Sequence, residues 1–251
     1  MPKKFLHLIL AIAFAGCSTS PVASPHLEPP LPVFALLDPA ADLLISIRAV
    51  RGREPAALTL DALRQNLGDS RVHSFTILPT TYVPNSDKPY GSADLMELHA
   101  HRPNGTDLDI LFLDQAYARD KNLTGVTFVN YGLIAVFQDR NPFSPKVIPS
   151  NLQMPDTRIR QATERSTLVH ELGHAWGLVN CGIPMVQPRE DPQSKCHSIH
   201  QQSVMNFATH YNTDITNVRT EDGGDPVWHF DDQDWQDIRS YQEQTWPSHV
   251  R

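Results

Sequence analysis

The pattern of apolar and polar positions predicts a domain of mixed α and β structure that begins near residue 41. Short runs of branched and aromatic side chains bounded by turn residues are typical of strands. Five strands are predicted on this basis: Leu43–Val50, Val72–Tyr82, Leu108–Leu113, Val126–Asn130 and Leu133–Gln138. The last two flank Tyr131-Gly132 and predict a hairpin around that pair.

Helices are predicted where apolar residues recur three and four positions apart. Four segments have this pattern: Thr59–Leu67, Ser92–His101, Thr157–Val169 and Phe230–Tyr241. Thr59 is a candidate N-cap with Gly68 at the end of that helix, and Asp231 or Asp232 is a candidate N-cap for the last helix. Strands that mix with helices favour an α/β (α+β) domain, with a mixed sheet beneath the helices.

The third predicted helix runs into the motif H-E-x-x-H, His170-Glu171-Leu172-Gly173-His174. Residues four apart share one face of a helix, so His170 and His174 can bind one metal ion from the same side. Glu171 can reach a water on that metal and accept its proton. Apolar residues around the motif predict a mostly buried helix, and buried His and Glu side chains need the partners that a metal supplies. We therefore expect one zinc ion here.

The residues beyond the motif resemble those of the metzincin zinc peptidases. Gly177 extends the pattern to H-E-x-x-H-x-x-G, Ser203-Val204-Met205 resembles a Met-turn, and a capped helix follows. The resemblance covers roughly Asp156 to Tyr241. It implies a single catalytic domain with a mixed twisted sheet, an active-site helix, a Met-turn and a C-terminal helix. It also implies hydrolysis of peptide bonds, with Met205 as a hydrophobic floor under the metal.

The third zinc ligand departs from the metzincin pattern. Metzincins usually place a His or Asp three residues after the glycine, and this position holds Asn180, whose amide oxygen is a poor zinc ligand. Five other residues are candidates for the third ligand: His197, His200, Cys181, Glu190 and Asp191.

Two cysteines bear on this choice. Cys181 and Cys196 form an even pair in a chain with an export signal, so we expect a disulfide between them. The bridge would bring His197 beside the usual position of the third ligand. The segment from Leu178 also resembles a group of bacterial metzincin-like proteins whose third His comes late, shortly before the Met-turn. The predicted ligands are therefore His170, His174 and His197, with His200 and Asn180 left open.

The N-terminus predicts a lipoprotein. Residues 1–16 have the charged and apolar regions of a signal peptide, and Phe14-Ala15-Gly16-Cys17 resembles a bacterial lipobox. An ordinary signal peptide with a coincidental cysteine is the alternative. Residues 17–40 are rich in proline and predict an extended tether, which leaves residues 41–251 for the peptidase domain. We expect lipid on Cys17 and an outer-membrane location in a Gram-negative cell envelope.

Charge and chemistry narrow the functional classes. The formal net charge of −7 argues against a nucleic-acid partner. The favoured function is a zinc-dependent endopeptidase with Glu171 as general base, acting on a peptide or protein substrate.

One alternative takes a Glu, either Glu190 or Glu221, as third ligand. Another is a zinc-stabilised lipoprotein that binds a protein partner at the cell envelope and cleaves nothing; Glu171 argues against it, since a purely structural zinc site needs no general base.

Two further expectations concern a strand beside the site and two histidines far from it in sequence. The segment Leu133–Phe137 is a candidate rim strand that binds substrate backbone by β-augmentation, and an ordinary core strand is the alternative. His99 and His101 are expected to be surface residues rather than ligands.

Overall fold

A mixed six-stranded sheet with helices on its faces forms the body of the protein. The structure is a computed structural model, and it describes residues 35–138, 156–206 and 229–248. Six strands make up the sheet: β1 Asp42–Val50, β2 Ser74–Ile77, β3 Thr81–Val83, β4 Leu108–Leu113, β5 Gly125–Phe128 and β6 Leu133–Phe137. Their order is β2-β1-β4-β6-β5, with β3 also paired to β1, and β5 alone is antiparallel to its neighbour.

The predicted strand over 72–82 is two strands. Both β2 and β3 pair with β1, one after the other along its length. Pro79 lies between them, and a proline has no N–H to donate to a strand ladder, so the pairing is interrupted there. The predicted hairpin around Tyr131-Gly132 is confirmed, and Gly132 supplies the left-handed conformation of the turn with φ of 59°.

Four α-helices lie within the described residues: α1 Ala57–Asp69, α2 Ser92–Ala100, α3 Asp156–Ala175 and α4 Asp232–Thr245. Helix α1 begins before the predicted cap, so Thr59 lies inside the helix and is buried. The residue at the observed N-cap position is Ala56, and its N–H donates to Glu164 Oε1 at 2.8 Å. Asp231 is the N-cap of α4, where its side chain accepts from the N–H groups of Gln233 and Asp234. No helix in these ranges is both long and apolar enough to cross a bilayer.

The two faces of the sheet bury separate cores. One face packs Ile45, Ile47, Ile110 and other residues against α1, α3 and α4. The other face packs mainly against α2, through Leu95. Alternate residues of each strand serve the two faces, as the period of two in a strand requires. The fold class predicted from the sequence is thus confirmed.

His99 corrects an expectation, because it is buried rather than on the surface. It is only 2% exposed, and its Nδ1 lies 3.0 Å from Asp109 Oδ2 beneath α2. Ser46 Oγ and Arg48 Nε donate to the same carboxylate at 2.6 and 2.9 Å. Burial raises the pKa of Asp109, but hydrogen bonds from His99 and Arg48 outweigh burial and hold that pKa below its usual value. His101 is exposed, as expected.

Candidate metal centre

The end of α3 places the first two histidines and turns the chain back. The helix closes with a Schellman motif, in which the Leu178 N–H donates to Gly173 O and the Gly177 N–H donates to His174 O, both at 3.0 Å. Gly177 has φ of +74°, and a Cβ there would lie 3.0 Å from the Gly182 backbone. A glycine is therefore required where the chain reverses towards the site.

A short hairpin brings in the third histidine. It consists of β7 (Glu190–Asp191) and β8 (Ser194–Ser198), and His197 lies on β8. The predicted disulfide Cys181–Cys196 is present, with the two Cα atoms 5.0 Å apart. It ties β8 to the segment that follows α3.

His170, His174 and His197 form a group that can hold a metal ion. One ligand atom from each lies within 4.8 Å of the others. The Nε2 atoms of His170 and His174 are 3.1 Å apart, and the His197 ring centroid lies 5.2 Å from that of His170 and 4.9 Å from that of His174.

Backbone carbonyls orient two of these rings. His170 Nδ1 lies 2.6 Å from Val204 O, and His197 Nδ1 lies 2.8 Å from Lys195 O. A carbonyl can only accept, so a hydrogen bond to it requires the proton on Nδ1 and leaves the lone pair on Nε2. Ser194 Oγ also lies 3.0 Å from His197 Nδ1 and can accept the same proton. Such outer partners are typical of metal-ligating histidines. The donor set therefore fits a cation that prefers neutral imidazole.

The other candidates near the disulfide have different partners. Asn180 is exposed, and its amide donates to Glu190 Oε2 at 3.4 Å. The other Glu190 oxygen accepts from the Cys196 N–H at 3.0 Å, so this carboxylate braces the loop. The Cys181 thiol is taken up by the disulfide.

Two further candidates also lie apart from the group. Asp191 accepts the N–H of Gln193 at 2.8 Å, and His200 Nδ1 lies 3.3 Å from Asp231 Oδ2. Glu221 lies outside the described residues. Among the candidates that the structure describes, His197 is the one brought to His170 and His174.

Met205 packs directly against α3 between the two histidines of the helix. It is fully buried, and a Cβ at Gly173 would lie only 2.2 Å from Met205 Sδ. The glycine inside the H-E-x-x-H motif thus makes room for the methionine. The preceding residue, Val204, provides the carbonyl that orients His170. The segment predicted as a Met-turn therefore contacts α3 beside the two histidines.

Glu171 is buried and held by strand β5. It is 1% exposed, and Thr127 Oγ1 lies 2.7 Å from its Oε2 and 2.9 Å from its backbone O. A Cβ at Gly125 would lie 2.7 Å from Glu171 Cγ. Neither β5 residue was predicted from the sequence. The available signal was Gly125, directly before the predicted strand Val126–Asn130, because a glycine in a strand often marks the close approach of another group.

The expected rim strand is corrected by the structure. The segment Leu133–Phe137 is β6, buried at every position between β4 and β5, so the core-strand alternative is right. Strand β5 lies at the edge of the sheet instead, and β6 is its one partner within the described residues.

Buried charges join the hairpin to α4. Arg189 is fully buried, and its guanidinium lies 2.8 Å from Asp234 and 2.7 Å from Asp237. Ser203 Oγ donates to Asp234 at 2.7 Å, and the Val186 N–H donates to Asp237 at 2.6 Å. Burial raises the pKa of Asp234 above its usual value even though Arg189 and Ser203 act to lower it. The cluster fixes the hairpin and the Met-turn against the same helix.

Comparison with known proteins identifies the fold. No protein-family model and no curated protein matches the sequence. The solved archaemetzincin from Methanopyrus kandleri is similar in structure, with a TM-score of 0.52 and 14% identity over 80% of this chain and 96% of that one. An archaemetzincin from Archaeoglobus fulgidus complexed with malonate has a TM-score of 0.39 and 13% identity over 68% of this chain and 92% of that one. A zinc-dependent peptidase from Methanocorpusculum labreanum has a TM-score of 0.46 and 14% identity over 77% of this chain and 99% of that one. The chain therefore shares the fold of the Methanopyrus archaemetzincin, in agreement with the metzincin-like architecture expected from its sequence.

Proposed function

We propose that this protein is a zinc-dependent endopeptidase, in which His170, His174 and His197 bind one zinc ion and Glu171 is the general base. The convergence of the three imidazoles beside a buried glutamate carries the proposal. Nitrogen ligands of this kind suit zinc, and catalytic zinc sites have three protein ligands with a fourth position for water or substrate. The group of His, Cys, Asp and Glu side chains found within the described residues has three members, which supports catalysis over a four-ligand structural site.

The proposed chemistry assigns one task to each group. Zinc, when bound, supplies Lewis acidity and lowers the pKa of water. Glu171 accepts a proton from the attacking water and passes it to the leaving amine, as a general base that then acts as a general acid. Thr127 and Gly125 keep the carboxylate beside the histidines.

The position of β5 supports a peptide substrate. This edge strand contacts Glu171 through Thr127, so an extended chain added to its edge would run past the general base. Backbone hydrogen bonds from an edge strand bind a peptide largely without regard to its side chains. We infer that the substrate binds in an extended conformation along β5.

We also propose that lipid on Cys17 anchors the protein in the cell envelope, at the outer membrane of a Gram-negative cell. The lipobox-like sequence before Cys17 and the proline-rich residues 17–40 support this location. The tether would let the catalytic domain reach substrates near the membrane surface.

The central test is a Glu171→Gln substitution. Gln keeps the shape of the side chain but cannot accept the proton, so we expect cleavage of unfolded casein to fall by about 10²–10⁴-fold. Zinc content, measured by mass spectrometry, should stay at one ion per chain, and chelation should stop the wild-type protein.

The matched control is Glu243→Gln, on the exposed side of α4. It should retain wild-type activity. Full activity in Glu171→Gln would disprove the assigned mechanism, and wild-type protein that binds zinc but cleaves nothing would favour a scaffold that binds a partner.

A further inference from the structure

Strand β5 presents alternate residues to α3. Gly125 pairs with Val136 and Thr127 with Ile134, both of which point into the core beside α3. Residues opposite each other on antiparallel strands share a face, so Gly125 and Thr127 also face the helix. Val126 packs into the core on the other side of the sheet.

Gly125 lets the strand approach the general base closely. A Cβ at this position would lie 2.7 Å from each of three atoms: Glu171 Cγ, Glu171 Oε1 and Thr167 Cγ2. Gly125 is not among the residues with positive φ, so its backbone conformation is open to alanine. A glycine is therefore needed at position 125 because a Cβ would clash there, mainly with the side chain of Glu171.

Thr127 supplies a hydrogen bond two residues further along. Its hydroxyl lies 2.7 Å from Glu171 Oε2 and 2.9 Å from Glu171 O. A hydroxyl has one proton and two lone pairs. It can therefore donate to the carboxylate oxygen or to the backbone carbonyl of Glu171, both of which lie within hydrogen-bond distance.

We propose that Thr127 is a positioning residue that holds the Glu171 carboxylate in one place beside the histidines. The hydroxyl donates to Oε2 at 2.7 Å and so fixes the orientation of the carboxylate. Gly125 provides the room in which the carboxylate is held. This inference rests on the proposed function and assigns to β5 a role beyond binding substrate.

The test compares Thr127→Val with Thr127→Ser. Valine keeps the branched shape of threonine without its hydroxyl, whereas serine keeps the hydroxyl. For a quenched fluorescent peptide, we expect Thr127→Val to lower kcat by about 10–100-fold, the range for loss of an outer-shell partner. KM and zinc content should stay at wild-type values, and Thr127→Ser should restore kcat to near the wild-type value.

Three results would overturn the inference: wild-type kcat in Thr127→Val, equal losses in both variants, or loss of zinc from Thr127→Val. The last would mean that Thr127 supports the metal group rather than the base. These results differ from failure of the proposed function, which would appear as an inactive wild-type protein or as an active Glu171→Gln variant.

A glycine substitution gives an independent measurement of the same role. Gly125→Ala should displace Glu171 and lower kcat by up to about 100-fold, as for an ångström-scale misplacement of a catalytic group. Gly68→Ala is the matched control, because a Cβ there meets nothing within 4 Å. Equal kcat values for these two alanine variants would also count against the inference.

Discussion

At the scale of single residues, hydrogen bonds to backbone carbonyls decide which nitrogens face the site. Val204 O accepts a hydrogen bond from His170 Nδ1, and Lys195 O accepts one from His197 Nδ1. The Nε2 atoms of both rings are therefore the proposed ligand atoms. Neither carbonyl could be assigned from a motif. The proposed third ligand is thus a histidine on a disulfide-bonded hairpin, and Asn180 contacts Glu190 instead.

The ligand assignment predicts distinct effects of single substitutions. His197→Ala should lose zinc outright, because it removes one of three ligands. His200→Ala and Asn180→Ala should retain zinc, because their side chains contact Asp231 and Glu190 instead. A zinc titration in competition with a chelator measures these affinities.

The control for this titration is His101→Ala, since His101 is exposed and lies directly after the end of α2, apart from the three histidines. Wild-type affinity in His197→Ala together with a large loss in Asn180→Ala would show that the usual metzincin position binds the metal.

At the scale of secondary structure elements, the hairpin β7–β8 is held by three independent interactions. The disulfide joins it to the segment after α3, Glu190 accepts the Cys196 N–H, and Arg189 binds two buried aspartates of α4. His197 therefore belongs to an element whose position depends on both α3 and α4. Breaking one interaction should loosen the hairpin without unfolding the sheet.

The disulfide should therefore strengthen zinc binding. It closes a loop with a sequence separation of 15, and such a loop is worth about 3 kcal/mol in the chain-entropy description. If most of that free energy holds His197 in place, reduction should weaken zinc binding by up to about 100-fold. A titration with and without a phosphine reductant, which avoids adding thiol ligands, measures the change.

The double variant Cys181→Ser/Cys196→Ser is the control for this experiment. It should bind zinc as weakly as the reduced protein and should not respond to the reductant. Zinc affinity that is the same in oxidised, reduced and double-serine proteins would show that Glu190 and Arg189 suffice to hold the hairpin.

At the scale of the whole molecule, the sheet places the site at its edge. Strand β5 lies at one end of the strand order, next to α3, so the proposed base lies beside a strand edge that is unpaired within the described residues. The buried core strand β6 lies behind it. This arrangement agrees with the proposed binding of an extended peptide along β5.

The proposed anchor predicts the location of the whole chain. Wild-type protein expressed in a Gram-negative cell should sediment with outer membranes and carry lipid on Cys17, as mass spectrometry of the N-terminal peptide would reveal. Cys17→Ser should remain unprocessed or appear in the soluble fraction. A soluble wild-type chain that begins at a residue other than Cys17 would disprove the anchor.

Features set by local sequence were predictable because their geometry repeats within one element. The spacing of His170 and His174 is a property of any α-helix, and Asp231 caps α4 through contacts only two and three residues away. The main strands followed from short apolar runs for the same reason. The Cys181–Cys196 bridge was predictable because these two cysteines form a pair beyond the predicted signal peptide.

Features that depend on packing between distant segments were not predictable in this way. Thr127 and Glu171 are 44 residues apart, and they meet only because β5 occupies the sheet edge beside α3. His99 is buried because Asp109 on β4 and α2 come together on one face. No periodicity within one element encodes the order of strands in a sheet. Chain folding therefore decided which histidine joined the helical pair and which strand came to hold Glu171.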